Sequence, residues 1–189
     1  MFGDILMSVK QTKRGRPLQK QLSQEIIIDQ AKQLMLEKGK PPSIRALAAA
    51  LNVDAMAIYH YFKNKDALLE AVTFSLISDI HDPKSLHWQQ EIYELSKSYL
   101  AILDKYRGLL QTLLSSKMIG PADVFAARFE RITRSLDLNT DTQQTALHLL
   151  VDYLHGFALA MECNPSRDEL NLEMIEQPVT FICKTMVLE

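Results

Sequence analysis

Three polar side chains in the carboxyl-terminal half, His148, Asp152 and His155, recur at i, i+4 and i+7. That spacing gathers them on one face of a helix. Two imidazoles and a carboxylate there could bind a divalent transition metal, or could form a polar stripe along a subunit seam or pocket wall. His81, Asp82 and His87, around Pro83, repeat the same donor types more loosely. A second kind of chemistry lies between residues 54 and 65, where Tyr59, His60, Tyr61, Lys63 and Lys65 interleave rings with cations. Such groups contact phosphates and base edges. No phosphate-binding glycine loop, HExxH pair, nucleophile elbow or dinucleotide fingerprint occurs in the sequence. The expectation is a non-enzyme with no cofactor and no bound metal.

The elements that carry these groups follow from composition and periodicity. A chain of 189 residues has room for one domain or two small ones. At 47% apolar and 23% charged residues it can build a core, which argues against a mostly disordered chain. The net charge of −2 conceals a division. Residues 1–66 hold 11 basic and 6 acidic side chains, net +5, whereas residues 67–189 hold 10 and 17, net −7. A basic amino-terminal third joined to an acidic remainder points to nucleic acid. Cys163 and Cys183 are too few for a disulfide framework and lack metal-type spacing, so a reducing cytoplasm is expected. No apolar run reaches the roughly 18–20 residues of a membrane span. The short apolar patch near residue 5 precedes its basic residues, the reverse of a signal peptide, so the expected location is cytoplasmic, away from the membrane.

Glycine and proline are scarce, and alternating β-branched runs are absent, so the fold class expected is all-α. Residues 1–22 read as a flexible basic arm. Ser23 can cap a first helix that stops at Gly39, and Pro41-Pro42 prevents its continuation. Ser43 can cap a second, in which Ile44, Leu47, Ala48 and Leu51 share one face. Asn52-Val53 is a break, and Asp54 can cap a third helix through about Tyr61 with Ile58 and Phe62 inward. A fourth begins near Lys65 and runs to about Ile80. Further helices are expected at about 86–104, 107–117, 121–136, 141–162 and 169–187, with Pro178 kinking or interrupting the last.

Two short amphipathic helices joined by a tight turn make a helix-turn-helix. In DNA binding the second helix presents its exposed side to the major groove. Lys63 and Lys65, with the backbone amides that open the next helix, suit a phosphate. The stretch from Ser43 to Val72 resembles the DNA-binding domain of the TetR family of transcriptional repressors. The resemblance rests on Leu47-Ala48, Tyr59-His60-Tyr61-Phe62, Lys63-Asn64-Lys65 and Leu68-Leu69, and is dense from Ser23 to Val72. It implies that Ser43 and Arg45 contact backbone or nearby bases from the second helix. It places Ala55, Met56, Tyr59 and His60 at groove-facing positions, and Tyr61 and Lys65 at phosphates. This sequence departs from the family at Lys40, where an aromatic is common, and in the shorter link between Gly39 and Ser43. Asn52 stands where glycine is usual, but asparagine tolerates positive φ. Because Ala55, Met56 and Ala57 offer no hydrogen bonds, base reading would lean on thymine methyls, on DNA shape, and on Arg45 or His60. The arm sequence Lys13-Arg14-Gly15-Arg16-Pro17 resembles a minor-groove hook, with Arg14 and Arg16 in an A·T-rich groove, and could equally be a solvated tail.

The resemblance implies a three-part organisation: the arm at 1–22, the helix-turn-helix domain at 23–68, and a helical effector-binding and dimerisation domain at 69–189. The expected partners are a double-stranded DNA operator, a second copy of the chain, and a small, largely apolar effector whose binding releases the operator. Candidate pocket residues are Trp88, Tyr93, Tyr99, Leu103, Leu114, Met118, Phe125, Phe129, Val151 and His155. Leu150, Leu154, Phe157, Ile175 and Ile182 are the candidates for the dimer seam, and Gly156 for close helix packing. The alternative keeps the DNA-binding head but makes the acidic domain a dock for another protein.

Overall fold

The computed structural model describes residues 22–84, 87–115, 120–164 and 170–187. Arg14, Arg16 and Met118 lie outside these residues. Nine α-helices make up the described fold: α1 (Gln24–Lys38), α2 (Ile44–Leu51), α3 (Ala55–Tyr59), α4 (Lys65–Ser75), α5 (Trp88–Lys105), α6 (Leu109–Ser115), α7 (Pro121–Thr133), α8 (Thr140–Cys163) and α9 (Glu176–Met186). No strand occurs among the described residues.

Each early helix starts where a short polar side chain can satisfy a free amide. Ser23 Oγ accepts from Ile26 N at 3.3 Å, Ser43 Oγ from Ala46 N at 3.2 Å, and Asp54 Oδ1 from Ala57 N at 2.9 Å. α1 ends on Gly39 at φ 61°, whose amide returns to Met35 O at 2.8 Å. α2 ends on Asn52 at φ 54°. Asparagine can hold this left-handed conformation, so the turn survives without glycine.

Two elements are shorter than the apolar periodicity suggests. α3 has five residues, but the coil winds on for a further half-turn, with Phe62 N bonded to Ile58 O at 3.1 Å. α4 stops at Ser75, whose hydroxyl donates to Val72 O at 2.7 Å and competes with the backbone ladder. A 3₁₀ turn at Ile77–Asp79 carries the chain on, so Leu76 and Ile80 still reach the core. The expected last helix is interrupted just before Pro178, not kinked at it: a 3₁₀ turn at Leu172–Ile175 precedes α9, which begins at Glu176. Pro178 is the third residue of α9, in the first turn, where its missing amide has no intrahelical acceptor to lose.

The helices pack in two groups that share one continuous core. α1 packs on α2 and α4, and α2 on α3, around Ile27, Ala31, Leu47, Ile58 and Leu68. In the larger group α5 packs against α7, α8 and α9, and α8 against α9. Contact between the groups runs through α4 on α6. A second contact is Gly108, in the turn before α6, at φ 78°. A Cβ there would stand 2.7 Å from Pro41 Cδ, in the link between α1 and α2.

α8 buries Ala146, Leu150, Leu154, Ala158 and Met161 along one side, and α9 buries Val179, Cys183 and Met186. Burial pushes the Cys183 thiol up to about 11, whereas Cys163, at the end of α8, is exposed. Among the described residues no helix is long and apolar enough to cross a membrane.

Candidate nucleic-acid interface

α2 and α3 turn their apolar sides inward and leave a polar, aromatic surface outside. Leu47, Ala48, Ile58 and Phe62 are buried, whereas Arg45, Met56, Tyr59, His60, Lys63 and Lys65 are exposed. Met56 is 64% exposed and Tyr59 43%, an unusual display for large apolar side chains without a ligand. Ala55 and Ala57 are half-buried and small, so the backbone of α3 can approach a groove floor closely. Ser43 is exposed, but its hydroxyl is engaged as the α2 cap.

Two features of this unit were not legible in the residue pattern. Asn64 caps α4, its Oδ1 accepting from Ala67 N at 2.8 Å. That fixes the first turn of α4, with Lys65 as its first residue, directly after α3. The amides of a first turn and a cation side by side form an anion site of the kind a phosphate occupies. Tyr61 donates its hydroxyl proton to Leu22 O at 2.5 Å and so ties the end of the α3 coil to the entry of α1. A phenol has one proton, so in this arrangement Tyr61 braces the unit and has no proton to donate to a phosphate.

The sequence over residues 27–72 matches the family of bacterial regulatory proteins, tetR family. Residues 27–72 are a TetR-family DNA-binding domain. No curated protein matches the sequence. Solved structures extend the likeness in fold to the helical body. ActR of Streptomyces coelicolor in complex with actinorhodin has a TM-score of 0.71 at 18% identity, over 89% of this chain and 96% of that one. A TetR variant from Acinetobacter baumannii AYE in complex with minocycline has a TM-score of 0.70 at 20% identity, over 89% and 100%. BioQ with its double-stranded DNA operator has a TM-score of 0.71 at 19% identity, over 88% and 98%.

In the body behind the TetR-type head, three candidate pocket residues meet. The rings of Tyr99 and Phe125 lie 5.0 Å apart and those of Tyr99 and His155 5.9 Å apart. The Tyr99 hydroxyl is hydrogen-bonded to His155 Nε2 at 2.8 Å. Burial raises the Tyr99 phenol, with the Asp123 charge adding, and burial lowers the His155 imidazole against the opposing pull of Asp152. The pair is therefore a neutral phenol bonded to a neutral imidazole. Phe125, Phe129 and Leu103 are buried beside α5 and α7, and Val151 is half-buried.

The other candidates lie apart. Leu114 is 66% exposed. Tyr93 donates to Glu173 Oε2 at 2.9 Å, beside the Lys97–Glu173 ion pair. Trp88 opens α5 in a separate groove. His148 and Asp152 are exposed, His155 turns to Tyr99, and no metal-type cluster occurs among the described residues.

Sequence spacing also missed the polar joint where the head's last helix hands over to the body. His81 Nε2 lies 2.6 Å from Oε2 of buried Glu91 on α5. Arg128 on α7 donates to Ile80 O at 2.5 Å, and Arg131 pairs with Asp82.

The depressed His155 pKa has a consequence for stability. The unfolded chain takes up that proton near pH 6.5, before the folded one does. The stabilisation is therefore present above about pH 6.5 and is lost as pH falls. Thermal midpoints should drop between about pH 7.5 and about pH 5.5, by less in His155→Gln.

Proposed function

We propose that the protein is an operator-binding transcriptional repressor that acts as a homodimer and is released from DNA by a small, largely apolar effector. The observation that carries the reading is the exposed set Arg45, Met56, Tyr59, His60, Lys63 and Lys65 on one capped three-helix unit whose core is closed on its other side by Ile27, Leu47, Ile58 and Phe62. Such a unit has positions for base reading and phosphate contact on a single surface. Residues 23–68 form the DNA-binding head and 69–189 the effector and dimer body. BioQ with its operator, and ActR and the TetR variant with their ligands, support this division of labour. Tyr99, Phe125 and Phe129 are fully buried beside His155, so a mostly apolar effector with one polar group would enter there by parting the packing of α5, α7 and α8.

One head spans too little DNA for high specificity, so paired heads on half-sites roughly 34–36 Å apart are required. Leu150, Leu154 and Ile175 are enclosed in the chain's own core and offer no surface to a second copy. The outward sides of α8 and α9 do. Leu149 is 57% exposed and Phe181 69%, and with Tyr153 and Ile182 they line an open groove of about 930 Å³. Phe157 is half-buried on the same helix, and among the described residues nothing beyond Gly156's own chain neighbours and helix backbone stands within 4 Å of a Cβ there. A second copy's α8 and α9 would cover this face. Phe181→Arg should weaken self-association about tenfold or more in sedimentation experiments and weaken operator binding with it. An unchanged assembly would remove this face from the interface.

The function is tested by selecting bound genomic DNA fragments and titrating candidate effectors into the complexes. Wild-type protein should enrich a two-fold symmetric site, and an effector that binds the body should release it. Arg45→Ala should alter the base preference as well as the affinity. Enrichment of no sequence, or retention of DNA by every ligand that binds, would count against the proposal.

A further inference from the structure

Pro83 and Lys84, Trp88 at the start of α5, and the residues at the end of α7 line an open groove of about 560 Å³ that does not include Tyr99 or His155. Pro83, Trp88 and Ile132 give it an apolar wall, and Lys84, Arg131 and Arg134 give it three cations. Among the described residues two carboxylates stand against this set: Asp82 pairs with Arg131, and Glu91 Oε1 accepts from the Lys84 amide at 3.3 Å. The Arg131 hydrogen bond, with Arg128 and Lys84 adding to the positive field, holds the Asp82 carboxyl below its usual range. The groove thus remains positive with Asp82 ionised. Three like charges around a concavity repel one another unless an anion joins them. A half-buried indole beside them offers a face for a ring.

We infer that this groove binds a small aromatic anion, an aryl carboxylate or aryl phosphate, with its ring on Trp88 and its charge between Lys84, Arg131 and Arg134. The volume falls in the range of small-molecule sites, roughly 300–1,000 Å³. Guanidinium groups suit the planar, two-pronged face of either anion. Occupancy also bears on the joint described above. Arg131 fastens Asp82 in the segment leading out of the head, and a bound anion would compete for that cation.

Trp88 is the sole tryptophan of the chain, so its emission reads this groove without DNA and independently of the repressor reading. Benzoate and phenyl phosphate should each produce a saturable change in emission. Benzyl alcohol, the same ring without charge, and inorganic phosphate, the charge without the ring, should bind at least tenfold more weakly. Lys84→Gln and Arg134→Gln should each raise the apparent Kd about tenfold, the loss expected for one charge-assisted contact. Both residues are exposed, so the variants are expected to fold. No saturable change with either aryl anion would overturn the proposal. So would equal binding of benzyl alcohol. A change in Trp88 emission on adding duplex DNA, with none from the aryl anions, would reassign the groove to nucleic acid.

Discussion

The double variant Lys63→Ala/Lys65→Ala is expected to bind every duplex sequence roughly thirtyfold more weakly at physiological salt. The figure follows from counterion release. Each phosphate neutralised contributes about 0.9 to the slope of log K against log salt, and two such contacts are worth about 1.5 decades near 0.15 M. Both lysines are exposed and stand on either side of Asn64, whose side chain caps α4. The cap is untouched by the substitutions, so the helix should persist and the loss be electrostatic. Fluorescence anisotropy over a range of salt concentrations checks it, with the slope falling by about two. A slope equal to that of the wild type would show that the DNA lies elsewhere.

Gly108→Val is expected to destabilise the fold by about 2–4 kcal/mol and lower its melting temperature by roughly 5–15 °C. Two costs combine. At φ 78° any side chain is strained, a β-branched one most of all. The new Cβ would also stand 2.7 Å from Pro41 Cδ and 3.3 Å from its Cγ. Pro41 cannot retreat cheaply, because its short link is anchored by the Gly39 turn on one side and the Ser43 cap on the other. The turn at Gly108 must move instead, and with it α6, which packs on α4. Differential scanning calorimetry measures the stability change, and operator affinity should fall with it. Gly108→Ala should show the same signs at smaller size. A valine variant as stable as the wild type would show that the head and body are not held together here.

Local chemistry was the legible part of the fold. Ser23, Ser43 and Asp54 announce helix starts because a short polar side chain before an apolar period has few better uses. Gly39 and Asn52 announce stops for the complementary reason. The inward faces of α2 and α3 followed from spacing alone. Long-range choices did not. α8 carries apolar residues around most of its circumference, so periodicity could not say which would face the core. Leu150 and Leu154 went inward, and Leu149 stayed out. Tyr99 and His155 are 56 residues apart and His81 and Glu91 10 apart, and no pattern in one chain marks such partners. The same limit hid Tyr61, which looks like a phosphate ligand from its neighbours and is braced by the Leu22 carbonyl, 39 residues away.

The two cysteines differ in a way that makes the protein its own distance gauge. Cys183 is 1% exposed, and its raised thiol is scarcely ionised at neutral pH. Cys163 is exposed at the end of the long helix α8. A thiol-directed spin label or dye would therefore mark the wild-type chain at one position, with no cysteine removed. In a homodimer that single reaction places one probe on each body. The probe separation could then be followed while DNA or a small molecule is added, so movement of one subunit against the other is open to direct measurement.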